Sequence, residues 1–509
     1  MGRPAWLVAL TQQGEKPPYM LKVRSSNGFI IGTVALAVFT DLFLYGVIVP
    51  VIPFALQTRS HIEASKVQYW VSVLIAIYGA SLLAFSPVCG WLADRSSSRR
   101  SPLLMGLVAL LGSTVMLNVS SQIGVWVVAR ILQGCSAAVV WVVGLALLAD
   151  TVPQENLAQA MGYVSLAMSL GILVAPMLGG IVFDRAGYNA VFAMAYALVG
   201  LDIVLRLLLI EKKVAARWDP GAAGRVRATT DDVFPPRTPA IDGSAPPTSD
   251  GKQERLAFST SSSDLEKNVI KGPDPVSAGP TIPDEPVRRP MRDRLPPFLS
   301  LLYSRRLLSA LFGSVIQATL FTSFDSVLTI RAASIFNWTS TGAALLFLPL
   351  VIPTFLAPLF GWFSDRFGAR YPTALGFFLA CPPLVCLRYV EHNTIEDKVT
   401  LCALLALIGL ALAMTFPPLM AEISEIVESK EKKMLTNGEP GYGKSGAYAQ
   451  AYALFNVAFA AGTMIGPLLA GFVVQEKGWR TMAWVLGLFS GFTGIPMFLW
   501  MGGWVFETS

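Results

Sequence analysis

Histidine is almost missing from this chain: two occur among 509 residues, His61 and His392, and both lie in predicted loops. So few imidazoles exclude a histidine-rich metal centre and leave no basis for a Ser/His/Asp triad. Cysteine is scarce as well, and all five examples lie within or at the ends of apolar runs: Cys89, Cys135, Cys381, Cys386 and Cys402. We interpret them as packing residues, not as an extracellular disulfide framework. The sequence predicts neither a metal nor a cofactor.

Charged residues are also few, at 14% of the chain, whereas ordinary soluble domains contain about 25%. Hydrophobic residues make up 53%, and the mean hydropathy is +0.55. The apolar residues form runs of roughly 20, long enough to cross a bilayer as a helix, without the alternation of a membrane barrel. The sequence therefore predicts an all-α integral membrane protein. Its net charge of +6 comes from Lys and Arg beside the spans, so no nucleic-acid partner is expected.

The apolar runs predict twelve transmembrane helices, six on each side of a long polar segment. Their predicted bounds are 28–52, 68–92, 102–120, 123–148, 157–183, 188–210, 307–332, 341–364, 371–390, 399–421, 446–474 and 480–503. A second charged loop is predicted between the tenth and eleventh spans, from Glu422 to Lys444.

These spans divide the chain into five regions. They are an N-terminal tail (1–27), a first six-helix bundle (28–210), a linker (211–306), a second six-helix bundle (307–503) and a short C-terminal tail (504–509). The tail at 1–27 lacks a signal-peptide h-region, so the first span is expected to act as the insertion signal. The linker is rich in proline, serine and charge, which predicts a disordered segment, with a candidate phosphorylation stretch at Ser259 to Ser263.

Orientation follows from the distribution of basic residues. An even number of spans places both termini on one side, and the short loops on that side contain more Lys and Arg than those on the other side. The positive-inside rule therefore predicts cytoplasmic termini and a cytoplasmic linker. We expect a monomer in the plasma membrane or in a vacuolar or vesicular membrane.

A short charged turn follows the second span of each half. The first copy begins Gly90-Trp91-Leu92-Ala93-Asp94-Arg95, and the second begins Gly361-Trp362-Phe363-Ser364-Asp365-Arg366. Each turn lies between two apolar runs, so the chain must leave the membrane and re-enter it at once. The repeat indicates two similar membrane halves.

A second repeat aligns the fifth span of each half. The segment from Gly171 to Gly180 recurs from Gly462 to Gly471 with four identical positions, and Gly187 matches Gly478 at the same constant separation. The residues of this glycine and proline motif are Gly171, Pro176, Gly179 and Gly180 in the first half, and Gly462, Gly466, Pro467 and Gly471 in the second. Parallel repeats with an even number of spans imply a pseudo-twofold axis along the membrane normal, and a central cavity between the bundles.

These motifs resemble those of the major facilitator superfamily, in particular its twelve-span drug/proton antiporter branch. The resemblance rests on the repeated turn, on Arg130-Ile131-Leu132-Gln133-Gly134 in the fourth span, and on the fifth-span motif. The first span around Asp41 and the eleventh span around Asn456 look like those of vesicular amine transporters and their fungal relatives. Asn456 stands where those transporters have an acid, so monoamine specificity is not carried over. Ser98 replaces a glycine of the first turn.

The resemblance implies a conformational gate at the repeated turns. The gate candidates are Gly90, Asp94, Arg95, Arg99, Gly361, Asp365, Arg366 and Arg370. An aspartate there can meet a helix N-terminus or an arginine of the other half in one state only. The alternative is that these residues merely anchor the topology.

Charges within the spans are the strongest candidates for chemistry, because a charge at membrane depth is costly unless it is paired or faces water. Asp41 lies in span one and Asp325 in span seven, and each is a candidate to bind a proton or a cationic substrate group. The alternative is that each caps a helix or forms a fixed pair. Arg130 either orients Asp41 and proton movement or is a packing residue bonded to backbone carbonyls.

Other polar residues at mid-membrane are candidates to line the cavity: Gln133, Gln317, Asn456 and Tyr452. They also suit ordinary helix packing. Asp202 and Arg206, four residues apart in span six, are interpreted as a self-neutralising pair outside the binding site.

The sequence thus predicts a secondary transporter that exports small amphipathic organic compounds, with cations among the candidate substrates, in exchange for protons, as in efflux and multidrug resistance. The alternatives are a neutral-solute facilitator or symporter, and a transporter-derived membrane receptor. No cluster of nucleophile, base or metal ligands converges in the sequence, so an enzyme is not expected.

Overall fold

The structure is a computed structural model, and it describes residues 19–95, 99–152, 154–215, 218, 302, 304–438 and 446–503. Within these residues all regular secondary structure is helical. Most of the predicted linker, together with residues 96–98 of the first charged turn and residues 439–445, lies outside the described residues.

Eleven long helical stretches form the described part of the chain. They are α1 (Asn27–Gly46), α2 (Ala64–Arg95), α3 (Arg100–Val119), α4 (Ile123–Val139), α5 (Gln154–Ala186), α6 (Tyr188–Leu208), α7 (Arg305–Phe336), α8 (Ser340–Leu345, Phe347–Val351, Ile352–Leu356 and Ala357–Phe367), α9 (Arg370–Cys386), α10 (Ile395–Thr436) and α11 (Gly446–Trp500). Shorter helices lie at Leu21–Arg24, Ile52–Thr58, Leu145–Thr151 and Lys212–Ala215. We call the side where α1 and α7 begin the start side, and the side where they finish the end side.

Eleven segments of the described chain are long and apolar enough to cross a membrane. The last, Ala453–Trp500, has 48 residues, far more than one crossing needs. At Gly478 the backbone has φ 82° and ψ 172°, so α11 consists of two helices that meet at this glycine. Gly187 between α5 and α6 has nearly the same conformation, with φ 82° and ψ −179°. The matched glycines of the repeat therefore make the same turn.

Two predicted boundaries are wrong. Span one was expected to reach residue 52, but α1 ends at Gly46 and a turn continues to Val51, where Pro50 lacks an amide hydrogen and restricts its neighbour. A loop was expected from Glu422, but α10 stays helical to Thr436. Its charged residues are helix formers, and Glu428 pairs with Lys432 one turn later at 2.9 Å.

Local sequence explains where several helices begin and break. Ser26 and Ser304 cap α1 and α7, because their hydroxyl groups accept hydrogen bonds from the amides three residues later. α8 is divided into short pieces, including a 3₁₀ turn, and its prolines are Pro349, Pro353 and Pro358. A proline every four to five residues removes successive helical hydrogen bonds.

Helix packing repeats between the two halves. α1 packs on α5 as α7 packs on α11, and α3 packs on α4 as α9 packs on α10. A Cβ atom placed on Gly171 would lie 3.2 Å from Leu42, and one placed on Gly462 would lie 2.4 Å from the carbonyl oxygen of Val315. These glycines therefore allow the same close approach in both halves.

The halves meet each other through α2 against α11 and α5 against α8. The last glycine of each repeated motif lies at these contacts. A Cβ atom on Gly180 would lie 2.6 Å from the carbonyl oxygen of Ser340, and one on Gly471 would lie 1.7 Å from the hydroxyl of Ser72. Each fifth-span motif thus packs on the first helix of its own half and on the second helix of the other half.

Matching hydrogen bonds join neighbouring helices at both ends of each half. On the start side, Arg100 at the start of α3 donates to the carbonyl oxygen of Leu207, and Arg370 at the start of α9 donates to that of Met501. On the end side, Tyr188 and Trp479 directly follow the turning glycines. Each donates to a carbonyl oxygen near the end of the third helix of its half, that of Leu117 or Leu387. Guanidinium groups cover both aromatic rings.

Close packing at Gly179 provides a test of the fold. A Cβ atom there would lie 2.2 Å from the carbonyl oxygen of Val47, which is backbone and cannot rotate away. Gly179→Ala should therefore lower the free energy of unfolding by about 1–3 kcal/mol, measured by thermal unfolding in detergent. Gly200→Ala, in open space on α6, should leave it unchanged or slightly raised. Equal midpoints for the two variants would contradict the packing.

Candidate functional site

Asp41 lies fully buried in α1, near the middle of the helix stack. The hydroxyl of Tyr78 on α2 donates a hydrogen bond to Oδ2 of Asp41 at 3.2 Å. The indole of Trp141, in a π-helical turn at Val140–Gly144, lies beside the same carboxyl group. No described residue makes a hydrogen bond to Oδ1. One oxygen of this buried carboxyl group is thus left to bind a proton or a cation.

Asp325 lies in α7 and is also buried. The hydroxyl of Tyr45 on α1 donates to Oδ2 of Asp325 at 2.7 Å, which joins the two halves of the chain. The rings of Tyr45 and Tyr78 are in contact, with centroids 4.7 Å apart and planes inclined by 39°. Two carboxyl groups from different halves are therefore linked through two touching tyrosines, which we call the tyrosine pair.

Arg130 on α4 is fully buried beside the tyrosine pair. Its guanidinium carbon lies 5.9 Å from the centroid of the Tyr45 ring, and Nη1 donates to Oε1 of Gln133 at 2.7 Å. Within the described chain, Nε and Nη2 have no hydrogen-bond partner. The alternative of an arginine bonded to backbone carbonyls finds no support here, because its recorded bond is to Gln133.

The two carboxyl groups lie at different depths. Ala175 and Gly466 are matched positions of the repeated motif, and they contact Gly46 and Thr322 respectively. Gly46 therefore corresponds to Thr322. Five residues earlier on each helix, Asp41 corresponds to Gln317. Asp325 is eight residues beyond Gln317. At 1.5 Å per residue, it lies about 12 Å farther toward the end side. The tyrosine pair bridges this difference in depth.

The structure describes the side chains of two other predicted cavity residues, Gln317 and Asn456, and both are buried. Gln317 is buried on α7, and its Oε1 has no partner in the described chain. Asn456 on α11 donates to the hydroxyl of Ser86 on α2 at 3.1 Å, which is a contact between the halves nearer the start side. Tyr452 lies in α11, but its side chain is not described. The central cavity itself stays a prediction.

A small pocket does occur in the first half on the start side, and its walls include Val34, Leu103 and Arg206. Neither Asp41 nor Asp325 lines it. Across the described ranges, no group of three or more His, Cys, Asp or Glu side chains is placed to hold a metal ion.

The gate candidates are described only in part, since the side chains of Asp94, Arg95 and Asp365 lie outside the described residues. Arg99 forms an ion pair with Asp150 at 3.2 Å within its own half. Arg366 lies over the ring of Trp362, with its guanidinium carbon 5.6 Å from the centroid. Gly90 and Gly361 lie near Val142 and Pro417. The gate stays a prediction, and so does its alternative as a topology anchor.

Asp202 and Arg206 form the predicted pair. Both are buried, and Nη2 of Arg206 lies 2.7 Å from Oδ2 of Asp202. Nη1 of Arg206 also donates to the carbonyl oxygen of Leu103 at 2.7 Å. The pair satisfies its own charges and therefore needs no substrate.

Sequence reasoning missed Tyr45 and Tyr78. The helical spacing of Asp41 and Tyr45 places both on one face of α1, and this was a usable signal. Nothing in the sequence indicates that Tyr45 reaches Asp325, because that bond depends on how the halves meet.

The fold and this buried site define a class, that of multi-pass membrane transporters. The family model of the Major Facilitator Superfamily matches residues 34–436 and again residues 310–505. The chain therefore belongs to the Major Facilitator Superfamily, which confirms the resemblance drawn from the motifs.

Similar proteins support this membership. The MFS-type transporter ppzB of Metarhizium rileyi is 32% identical over 496 residues, which are 95% of this chain and 97% of that protein. The vesicular acetylcholine transporter of Mus musculus is 34% identical over 174 residues, 34% of this chain and 31% of that protein. Multidrug resistance protein 2 of Bacillus subtilis is 31% identical over 166 residues, 32% and 39% of the two chains.

A solved structure shares the fold. The crystal structure of the human organic anion transporter MFSD10 matches with a TM-score of 0.56 and 15% identity, over 95% of this chain and all of that chain. At this identity the likeness concerns the fold alone.

A structural role for the Asp202–Arg206 pair gives a further prediction. Asp202→Asn leaves a buried guanidinium uncompensated, which should cost about 3–5 kcal/mol of stability. The double variant Asp202→Leu with Arg206→Met removes both charges and should recover most of the loss. Thermal unfolding in detergent measures both. An Asp202→Asn variant as stable as the parent would show that the pair is not a structural unit.

Proposed function

We propose that this protein is a proton-coupled antiporter that exports small amphipathic, cationic organic compounds from the cytoplasm. The observation on which the proposal rests is the pair of buried carboxyl groups, one in each half, linked through the tyrosine pair. Asp41 and Asp325 are the coupling carboxyl groups. Similarity to a vesicular acetylcholine transporter and to a multidrug resistance protein supports exchange rather than facilitated diffusion.

The proposed architecture has twelve spans in two pseudo-symmetric six-helix bundles around a central cavity. The break at Gly478 supports the count of twelve, since it divides the longest stretch into two. The repeated helix contacts and the matching glycines support the pseudo-twofold. The proposed regions are 1–27, 28–210, 211–306, 307–503 and 504–509, and the described residues 211–215 pack on the first bundle.

Competition for one site supplies the coupling. Taking an ionised carboxyl group out of water is unfavourable, so an enclosed carboxyl group holds a proton unless a cation compensates its charge. A cationic substrate that reaches Oδ1 of Asp41 stabilises the ionised form and displaces the proton. Because binding effects are reciprocal, a proton arriving from the other side displaces the substrate.

Arg130 completes the proposed site. Its guanidinium carbon lies 5.9 Å from the centroid of the Tyr45 ring, and a positive charge favours the ionised form of nearby carboxyl groups. With Gln133 holding one nitrogen, the guanidinium keeps a fixed orientation. We propose that Arg130 guides proton movement or contacts the substrate, and that Gln133, Gln317, Asn456 and Tyr452 line the cavity.

The exchange reaction can be tested in proteoliposomes with ethidium as the cationic probe and the membrane potential clamped by valinomycin and potassium. Asp41→Asn and Asp325→Asn should each lower the uptake driven by a pH gradient at least about tenfold. Neither should prevent folding, because a neutral amide is cheaper in the membrane than a charged acid. Thermal unfolding checks that expectation.

Controls make the result specific. Glu63→Gln removes an exposed carboxyl group and should transport ethidium like the parent. Asp41→Glu keeps an acid and should retain a pH-dependent part of the activity. Transport by both asparagine variants at the parental rate, with parental pH dependence, would remove both residues from the mechanism. Ethidium transport that ignores the pH gradient in the parent protein would favour facilitated diffusion over proton exchange.

Orientation is tested by labelling intact cells. We propose cytoplasmic termini and a cytoplasmic 211–306 linker, in the plasma membrane or a vacuolar or vesicular membrane. An impermeant thiol reagent should then label Thr58→Cys from the exterior of intact cells and Ser304→Cys only after permeabilisation, because these residues lie on opposite sides of the bundle. The reverse pattern would invert the proposed topology.

A further inference from the structure

The bond from Tyr45 to Asp325 connects the two halves at membrane depth. Among the described residues, four other hydrogen bonds between the halves lie on the end side. Gln68 donates to the carbonyl oxygen of Ser326 at 2.9 Å, Ser340 to that of Pro50 at 3.2 Å, and Thr341 to that of Gly180 at 3.3 Å; the amide of Thr341 donates to Asp184 at 2.7 Å. Three of these acceptors are carbonyl oxygens, which do not titrate. The fourth, Asp184, is near the edge of the membrane.

Asp325 and Ser326 are neighbours on α7, and each accepts a hydrogen bond from a residue of the first half. We call these two residues the contact segment. Gln68 binds the backbone of this segment, and Tyr45 binds the one side chain in it that can change charge. A hydroxyl donates a stronger hydrogen bond to a carboxylate than to a neutral carboxyl group. The Tyr45 bond consequently depends on the protonation of Asp325, whereas the Gln68 bond does not.

Among the described residues, Tyr45 on α1 is hydrogen-bonded to Asp325, and the guanidinium group of Arg130 on α4 lies beside the ring of Tyr45. On α2, the ring of Tyr78 contacts that of Tyr45. α11 brings uncharged residues to this part of α7, namely Gly462, Gly466 and Pro467. The charged residues of α10 that contact α7 lie far along the helix from Asp325: Glu422 and Glu425 pair with Arg306, nineteen residues before it, and Lys398 lies over the ring of Phe336, eleven residues after it.

We propose that Tyr45 is a positioning residue that closes the end side of the transporter when Asp325 is ionised and releases it when Asp325 takes up a proton. This inference rests on the proposed function. The tyrosine pair extends the effect to Asp41: when Tyr45 leaves Asp325, its ring moves against Tyr78, which holds Oδ2 of Asp41. Proton uptake at the end side is in this way communicated to the carboxyl group about 12 Å deeper.

The test needs no substrate. Infrared spectroscopy of the purified full-length protein follows the carbonyl stretch of protonated carboxyl groups during a pH titration, and the band that Asp325→Asn removes belongs to Asp325. Tyr45→Phe keeps the ring and deletes the hydroxyl. The midpoint of the Asp325 band should then move upward by about one pH unit, the tenfold change expected when an ionised group loses one hydrogen bond.

Tyr69→Phe is the matched control. Tyr69 lies on the end side of α2, is 41% exposed and stacks on Phe472 of the other half. It should leave the midpoint unchanged. An unchanged midpoint in Tyr45→Phe, or an equal shift in Tyr69→Phe, would overturn the proposal without bearing on whether the protein transports cations.

Closure is measured separately by the distance between spin labels at Thr58→Cys and Ser334→Cys, in a protein whose five native cysteines are replaced. Both positions are exposed at the end side, in different halves. The parent should gain a longer-distance population as Asp325 becomes protonated, and Tyr45→Phe should keep that population at high pH. In an Asp325→Asn background, Tyr45→Phe should add nothing. If Tyr45→Phe increased the longer-distance population further in the Asp325→Asn background, Tyr45 would act through packing and not through Asp325.

Discussion

A charge inside a bilayer must be compensated by protein, because hydrocarbon cannot solvate it. The described buried charges of this chain meet that constraint in two ways. Asp202 with Arg206 and Glu422 with Arg306 form ion pairs with short contacts, and such pairs hold helices in place. Asp41, Asp325 and Arg130 are incompletely compensated, since their recorded partners are phenols and an amide. The incompletely compensated groups are the ones to which the proposed function assigns ligand and proton exchange.

The same constraint explains how the halves are built. Each half contains matching polar contacts at its two ends, where arginine and aromatic donors bind the last carbonyl oxygens of neighbouring helices. These bonds use groups that helix termini would otherwise leave unsatisfied. The interior of each half is held by glycines that let helices approach closely. Each half is therefore packed closely within itself, and it meets the other half mainly through α2 against α11 and α5 against α8.

At that contact, the hydrogen bonds to backbone carbonyl oxygens and the hydrogen bond to the buried carboxyl group of Asp325 respond differently to pH. Hydrogen bonds to carbonyl oxygens are insensitive to pH, so they set the alignment of the halves on the end side. The hydrogen bond from Tyr45 to Asp325 adds a contact between the halves whose strength depends on whether Asp325 is protonated. A transporter needs both kinds of contact, because alternating access requires an interface that is well aligned when closed and that a ligand can weaken.

Composition and repeats alone determined the membrane class, the helical fold and the internal duplication, and they made Asp41 and Asp325 candidate site residues, since run length, the rarity of membrane charges and repeated motifs are local properties. Helix ends at Gly46 and Thr436 were missed, because proline effects and helix-forming charged residues competed with the hydropathy pattern. Only tertiary structure decided that Tyr45 binds Asp325, that Gln317 is the packing counterpart of Asp41, and that the two carboxyl groups lie at different depths. Each of these depends on how residues hundreds of positions apart are brought together by helix packing, and no local pattern records that register.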